Sequence, residues 1–268
     1  MAFQLISDLI HQEIKDLVDH IPSLKIPETS TQLAAIIDQI RNDIPEKRRI
    51  STGRYSIAKA LGEALFPLLE DPFAFGVELY QNLGDPFVRS TALQLLSLWA
   101  AENAGLDKVK AYFEAAAGEE DWIVRECASG LVRKLTKAFP KEVRAWYLAL
   151  VKSPDPNLRR FVSESLRPVV ENRWFHKDPD YALGVIRHLF QESAPYPRTS
   201  VGNNLSDWMR VDPLAAWPIV EELAASGDKN SSWIAYRACR NYVKQEPALV
   251  METLGVREYK YKNRRYYL

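Results

Sequence analysis

Apolar residues recur at spacings of three and four along most of the 268-residue chain. This period is typical of amphipathic helices, whereas a half-buried strand alternates at every second residue. Proline or glycine interrupts the pattern about every 15 to 20 residues. We find no stretch that alternates well enough to predict a strand. The pattern predicts an all-α protein with helices at about 3–20, 29–42, 54–69, 72–82, 87–103, 106–117, 121–138, 141–151, 156–171, 179–191, 196–210, 214–226, 232–245 and 247–253.

A weak internal repeat accompanies the helical pattern. Its clearest copies are DPFVRSTALQLL from Asp85, DWIVRECASGLV from Asp121 and DPNLRRFVSESL from Asp155. Two weaker copies, APYPRTSVGNNL and SWIAYRACRNYV, begin at Ala194 and Ser232. The arginines that align near the start of each helix are Arg89, Arg125, Arg159, Arg198 and Arg237, spaced 36, 34, 39 and 39 residues apart. A helical repeat of this length predicts an α-solenoid of HEAT-like hairpins, each stacked on its neighbours.

The repeated aspartate and arginine have a structural explanation. An aspartate before a helix caps its free backbone amides, and an arginine can bridge adjacent repeats. We predict this bridging role above all for Arg89 and Arg237. A binding role stays open for the arginines of the three middle repeats.

Each repeated helix has two faces. Counted from the aligned arginine, positions −1, +3, +6 and +7 are mostly apolar and predict a buried stripe. These positions are Val88, Ala92, Leu95, Leu96, Val124, Ala128, Leu131, Val132, Leu158, Val162, Ser165, Leu166, Pro197, Val201, Asn204 and Leu205. The opposite face combines arginines with glycine, serine and threonine, where an ordinary solvated face carries long lysine and glutamate side chains. Such a surface is typical of proteins that bind a bulky anion in close contact.

Three acids and a tryptophan lie on this cationic face. Glu126, Glu164 and Asp207 occupy positions +1, +5 and +9 of successive repeats, and residues four apart share one stripe of a helix. Trp122 lies one turn before Glu126 on the same stripe. For each acid alone, a salt bridge to a neighbouring arginine is the simpler explanation, as packing is for the tryptophan. Their coincidence on one face favours a functional site.

Composition and charge narrow the possible classes of function. The chain is 47% hydrophobic and 26% charged, as in an ordinary globular protein, and no apolar run is long enough for a membrane helix. Its 35 basic and 35 acidic residues cancel, but residues 121–170 hold ten basic residues against five acidic ones. This uneven distribution of charge matters more than the net charge when a partner contacts only one surface of the protein.

We predict neither a metal nor a cofactor. The two cysteines, Cys127 and Cys239, form no CxxC pair, and the four histidines are scattered along the chain.

Acidic residues within the N-terminal helical pattern argue against a signal or transit peptide, so we expect a cytoplasmic protein. We also expect a monomer.

Residues 85–255 resemble the HEAT-like-repeat DNA alkylation repair superfamily, which includes the AlkD and AlkC glycosylases. The segments that carry the resemblance are EDWIVRECASGL at 120–131, PDPNLRRFVSESLRP at 154–168, YPRTSVGNNLSDW at 196–208 and WIAYRACRNYVKQEP at 233–247. The resemblance implies a single α-solenoid domain over 1–268 that recognises DNA from its concave face. Residues 1–84 would cap the first repeat, and their basic segment PEKRRISTGRYSIAK either reaches the DNA backbone or lies in a solvated loop. The basic, aromatic tail at 256–268 either contacts DNA or is disordered.

The resemblance also implies site residues. Trp122 and Glu126 match the tryptophan and the catalytic aspartate of AlkD-type enzymes, and Arg160 matches their DNA-contacting arginine. A second cleft tryptophan of that branch falls near Asn203, so this half of the aromatic clamp is absent.

The carboxylates fit the other branch better. AlkC-type enzymes have acids in VRE, SExxRP and NNLxD segments, which match Glu126, Glu164 and Asp207. Trp174 is a shifted match for a tryptophan that follows the SExxRP motif. This pattern places the chain nearer AlkC than AlkD.

The implied activity is hydrolysis of the N-glycosidic bond of cationic N-alkylated bases, such as 3-methyladenine, in double-stranded DNA. One or more of Glu126, Glu164 and Asp207 would stabilise the oxocarbenium-like sugar, and Trp122 or Trp174 would stack on the base or ribose. The arginines expected to hold phosphates are Arg125, Arg133, Arg159, Arg160, Arg167 and Arg198. Two alternatives are a non-catalytic DNA-binding member of the superfamily and a protein-binding solenoid scaffold.

Overall fold

The structure, a computed structural model, describes residue 10 and residues 26–44, 53–82 and 84–268. These ranges contain fourteen α-helices and one two-stranded sheet. The helices are α1 (Ile26–Asp43), α2 (Arg54–Leu65), α3 (Pro72–Gln81), α4 (Pro86–Glu102), α5 (Leu106–Gly118), α6 (Trp122–Leu131), α7 (Arg133–Ala138), α8 (Pro140–Leu150), α9 (Pro156–Ser165), α10 (Asp180–Ile186), α11 (Pro195–Val211), α12 (Pro213–Ala225), α13 (Lys229–Ala238) and α14 (Pro247–Leu254). The strands are β1 (Glu258–Tyr261) and β2 (Arg264–Tyr267). The predicted all-α class is confirmed, and the predicted helix at 3–20 lies outside the described residues except for Ile10.

The repeated aspartates cap helices, as the sequence predicts. A side-chain oxygen of Asp85 accepts a hydrogen bond from the Phe87 amide at 2.7 Å, at the start of α4. Asp121 and Asp155 accept in the same way from amides two residues on, each at 2.8 Å. Each bond satisfies one of the backbone amides that a helix start leaves without a partner.

Replacement of Asp155 by alanine should lower the free energy of unfolding by about 1 kcal/mol, because the first turn of α9 loses its capping oxygen. Asp155→Asn is the matched control, since asparagine caps a helix about as well as aspartate. Urea unfolding of the two variants measures the difference. An equal loss in both variants would contradict the capping role.

The chain divides into two compact units, Met1–Phe139 and Pro140–Leu268. In the first, α4 packs against α2, α3 and α6. In the second, α11 packs against α9, α12 and α13. Each of these central helices is 17 residues long and contributes to the core of its unit.

The predicted buried stripe is confirmed. All sixteen of its positions are buried except Leu158, which is half-buried. In α11 the stripe buries Asn204 as well as apolar residues, and the amide of Asn204 donates to the carbonyl of Ser163 at 2.6 Å. This bond offsets part of the cost of burying the polar side chain, whose Oδ1 atom has no hydrogen-bond partner within the described residues.

The repeated arginines join one repeat to the next within each unit. Arg89 of α4 forms an ion pair with Glu119, and its guanidinium lies 4.8 Å from the centre of the Tyr80 ring. Arg237 of α13 donates to the side-chain oxygen of Asn203 in α11 at 2.9 Å. The bridging role predicted for Arg89 and Arg237 is confirmed.

Several predicted helices extend past the observed helix ends; the helix predicted over 232–245 ends at Ala238 and that over 179–191 at Ile186. Two further cases show the cause. The helix predicted over 121–138 divides at Val132, where the carbonyl of Leu131 accepts from the Ser97 hydroxyl at 3.2 Å. The helix predicted over 156–171 ends at Ser165, and the amide of Asn172 donates to the Ser165 carbonyl at 2.8 Å. In both places a side chain from another part of the chain donates a hydrogen bond to a backbone carbonyl at the helix end.

The tail corrects the expectation that the chain has no strand. β1 and β2 form an antiparallel hairpin in which Lys260 lies opposite Arg265, and Lys262 has a φ of 56° in the turn. Tyr259 is fully buried, with its ring 4.1 Å from that of Tyr236 and almost parallel to it. Four-residue strands are too short for their alternation to stand out in the sequence.

No helix in the described ranges is both long and apolar enough to cross a membrane.

Candidate DNA-recognition and catalytic site

A cavity of about 500 Å³ opens in the first unit, between the start of α2 and one face of α6. Cavities of roughly 300–1,000 Å³ are usual for small-ligand sites. The described residues that line it are Gly53, Arg54, Tyr55, Phe87, Trp122, Ile123, Glu126, Cys127, Ser129, Gly130 and Arg133. Aromatic rings, one carboxylate and two arginines therefore meet at one opening.

Trp122 and Glu126 both line this cavity. They lie four residues apart on α6, so their side chains share one face of the helix. Trp122 is 62% exposed, which is unusual for the largest apolar side chain, and Glu126 is exposed as well. The structure thus brings together the tryptophan and one of the three acids predicted from the sequence.

Tyr55 and Phe87 are cavity residues that the sequence prediction missed. The Tyr55 hydroxyl lies against Gly130 of α6, in space that the Cβ atom of any larger residue would occupy. Gly130 therefore lets the tyrosine ring approach the helix closely. The sequence contained one signal, because Gly130 belongs to the small-residue face of the repeat, but nothing in it specified an aromatic partner.

Two arginines lie at the cavity. Arg54 pairs with Asp38 at 2.7 Å, and its guanidinium lies 5.8 Å from the centre of the Phe87 ring. Arg133 also lines the opening. Arg125 is not among the lining residues, and it donates to the Glu120 carbonyl at 2.8 Å just before α6.

Cys127 lines the cavity without being a nucleophile. Burial raises the pKa of its thiol to about 12, so the thiol is protonated at neutral pH. No group of three His, Cys, Asp or Glu side chains within the described ranges could hold a metal ion.

The other two predicted acids meet in the second unit. Arg167 donates to an oxygen of Asp207 at 2.7 Å and to an oxygen of Glu164 at 3.1 Å. The second Glu164 oxygen accepts from the Ser200 hydroxyl at 2.7 Å. Both carboxylates are buried, at 5% exposure for Glu164 and 9% for Asp207. Burial disfavours the charged form of Arg167, but the two carboxylates raise its pKa above the ordinary value.

The remaining predicted arginines of this unit are engaged within the protein. Arg159 donates two hydrogen bonds to Glu192, at 2.6 and 3.0 Å, and these bonds raise its pKa. Arg160 is buried, and its guanidinium lies 4.3 Å from the centre of the Tyr196 ring. Arg198 donates to the side-chain oxygen of Asn230 at 2.6 Å.

Trp174 lies in a short 3-10 segment, Val170–Lys177. Its ring packs 4.5 Å from that of Phe175 and 4.6 Å from that of Tyr181, measured between ring centres. It is half-buried, whereas Trp122 projects into solvent. The stacking role predicted for Trp174 stays a prediction, and its contacts in the structure are those of a packed aromatic cluster.

Comparisons with known proteins match this chain at the level of structure. No family model and no curated protein sequence matches it. The crystal structure of AlkD2 from Streptococcus mutans aligns with a TM-score of 0.59 and 18% identity, over 78% of this chain and 98% of that one. The Pseudomonas fluorescens alkylpurine DNA glycosylase AlkC, bound to DNA containing an abasic site analog, aligns with a TM-score of 0.58 and 19% identity, over 85% of this chain and 67% of that one.

The two TM-scores are nearly equal, so the placement nearer AlkC stays a prediction that depends on the carboxylate pattern. The names of the two neighbours, AlkD2 and AlkC, correspond to the two groups that the segments at 120–131, 154–168 and 196–208 resemble. The chain shares the helical fold of these two solved structures.

Proposed function

We propose that this chain is a monofunctional DNA glycosylase that removes cationic N-alkylated bases, of the 3-methyladenine type, from duplex DNA. The observation that carries the proposal is the exposed pair of Trp122 and Glu126 at an open cavity that arginines flank. The AlkC neighbour is an alkylpurine DNA glycosylase bound to DNA, and this supports DNA as the partner.

The chemistry requires little more than this pair. An N-alkylated purine carries a positive charge and is already a good leaving group. As its bond to the sugar breaks, positive charge develops on the sugar, and a nearby carboxylate stabilises it. Glu126 would supply that carboxylate and could orient the attacking water. Trp122 would stack on the cationic base, since an aromatic face attracts a cation.

Glu164 and Asp207 take a different role in this proposal. Each carboxylate is buried and paired with Arg167, whose positive charge offsets the field that either would exert on a developing cation. We assign them to holding Arg167 between α9 and α11, and we assign the stabilising charge to Glu126.

The test is release of free base from methylated duplex DNA, with unmethylated duplex as the control. We expect release of methylated purine with first-order kinetics and an intact phosphodiester backbone, because a monofunctional enzyme leaves an abasic site. Salt-sensitive DNA binding without release would contradict the glycosylase and favour a non-catalytic DNA-binding protein. If neither is detected, the DNA repair function is wrong.

A further inference from the structure

Arg125 folds back onto the loop that leads into α6. Its guanidinium donates to the carbonyl of Glu120 at 2.8 Å and also to the carbonyl of Glu119. These two residues lie five and six positions before the arginine. Hydrogen bonds from a charged donor are stronger than those between neutral groups. Arg125 therefore holds residues 119–121, which we call the α6 loop, against the helix that follows them.

The same two carbonyl bonds occur in the next repeat. Arg159 donates to the carbonyls of Ser153 and Pro154, at 2.8 and 3.1 Å, again six and five positions before it. Arg125 and Arg159 occupy the aligned arginine position of their repeats. The carbonyl bonds are therefore a feature of the repeat, and they form without a bound partner.

The α6 loop is also fixed by contacts with other elements of the first unit. The side chain of Glu119 forms an ion pair with Arg89 of α4, and Arg89 is buried. At the other end of the loop, Asp121 caps α6 by accepting from the Ile123 amide at 2.8 Å. Because separating a buried ion pair is costly, the pair with Arg89 resists displacement of the loop. The entry to α6 is thus held by Arg89 on one side and by Arg125 on the other.

The start of α6 carries both residues of the candidate pair. Trp122 is the first residue of the helix and is 62% exposed, so the backbone beneath it fixes its ring more than packing does. Glu126 lies one turn further along the same face. At the equivalent positions around Arg159 the chain has Pro156 and Arg160, so the carbonyl bonds of that repeat support no such pair.

We propose that Arg125 is a positioning residue for the candidate site, which holds the start of α6 so that Trp122 and Glu126 meet the substrate in one fixed geometry. This role replaces the phosphate contact that the sequence predicts for Arg125, because its guanidinium is turned toward the backbone of its own loop. Groups that act on a developing charge must be held in place before the reaction. The effect on base release rests on the proposed function, whereas the effect on Trp122 does not.

Arg125→Gln is the direct test, made with full-length protein on methylated duplex DNA. Single-turnover release at saturating protein should slow by at least about ten-fold, because a displacement of about 1 Å at the reacting groups can cost about 100-fold. Anisotropy on an unmethylated duplex should show an unchanged slope of log affinity against log salt concentration. Loss of a phosphate contact would make that slope shallower by about 0.9.

Arg159→Gln is the matched control. It removes the equivalent carbonyl bonds and the bonds to Glu192, but its helix carries no tryptophan and carboxylate pair. This variant should release base at the rate of the unsubstituted protein, and urea unfolding shows that each variant is folded. If Arg125→Gln does not fold, Arg125→Lys keeps the positive charge on a shorter side chain. Its release should still be slower than that of the unsubstituted protein, with the same salt slope.

A spectroscopic measurement tests the same inference without base release. Fluorinated tryptophan is incorporated at all seven tryptophan positions, and Trp122→Phe identifies the fluorine NMR resonance of Trp122. Arg125→Gln should shift or broaden this resonance, because the backbone that carries the ring is no longer held. Arg159→Gln should leave the resonance unchanged.

A folded Arg125→Gln variant with an unchanged Trp122 resonance and an unchanged release rate would overturn the inference. So would a shallower salt slope at an unchanged release rate, which would return Arg125 to a phosphate contact. If the unsubstituted protein releases no base, the proposed function is wrong, and the resonance of Trp122 alone decides whether Arg125 positions it.

Discussion

The replacement Glu126→Gln is expected to slow base release from methylated duplex DNA by about 100- to 1,000-fold, the usual effect of removing one preorganised electrostatic group from an active site. Glutamine keeps the size and hydrogen-bonding capacity of glutamate but loses the negative charge that would stabilise the developing cation. DNA binding should not weaken, because the change removes a negative charge from the surface that would face phosphates.

Single-turnover release rates and anisotropy on the same duplex measure the two properties separately. Glu120→Gln is the matched control, since Glu120 is exposed just before α6 and does not line the cavity. We expect this variant to release base at the rate of the unsubstituted protein. Full activity in Glu126→Gln would assign the chemistry to another group, with Asp207 the next to be tested as Asp207→Asn.

The replacement Arg167→Met should lower the free energy of unfolding by about 3 kcal/mol, because it removes the counter-charge of buried Asp207 and one of the two arginines that pair with buried Glu164. Glu164 would retain the Ser200 hydroxyl and its ion pair with Arg160 at 3.8 Å, but Asp207 would lose the only side chain that bonds to it within the described residues. Breaking a buried ion pair typically costs roughly 3–5 kcal/mol, and we expect the lower end because the Arg167 side chain remains 29% exposed.

Arg187→Met provides the comparison for this prediction. Arg187 pairs with Glu222 at 2.5 Å, and the two side chains are 49% and 52% exposed. Loss of such a surface pair should change the free energy of unfolding by less than about 1 kcal/mol. Urea denaturation at neutral pH measures both variants. A loss for Arg167→Met no larger than that for Arg187→Met would show that the buried carboxylates do not depend on Arg167.

The repeat period and the buried stripe could be predicted because both depend on local periodicity. The stripe around Ala92, Ala128 and Val201 follows from the 3.6-residue period, and the capping role of Asp155 follows from its position before a helix. The hairpin could not be predicted, because what holds it is the distant stacking of Tyr259 on Tyr236. Helix ends at Leu131 and Ser165 likewise depend on side chains from elsewhere in the fold.

The candidate site was predictable only in part, for a related reason. A shared stripe predicts which side chains share a face, and it places Trp122 and Glu126 together correctly. It does not predict which charges neutralise one another across repeats, and so it could not distinguish the buried Glu164 from the exposed Glu126. Tyr55 enters the cavity from a separate helix, which no spacing along α6 could indicate.

The pairing of some repeats with their successors restricts how such a protein can evolve. Arg159 bonds to a carboxylate 33 residues further on, at Glu192, and Arg198 bonds to an amide 32 residues further on, at Asn230. If recombination exchanged two repeats, an arginine that now bonds to a carboxylate, such as Arg159, would lie opposite a neutral amide such as that of Asn230. The order of repeats is therefore inherited together with their sequences. Among related chains, covariation should concentrate at the separations of such pairs, 30, 32, 33 and 34 residues.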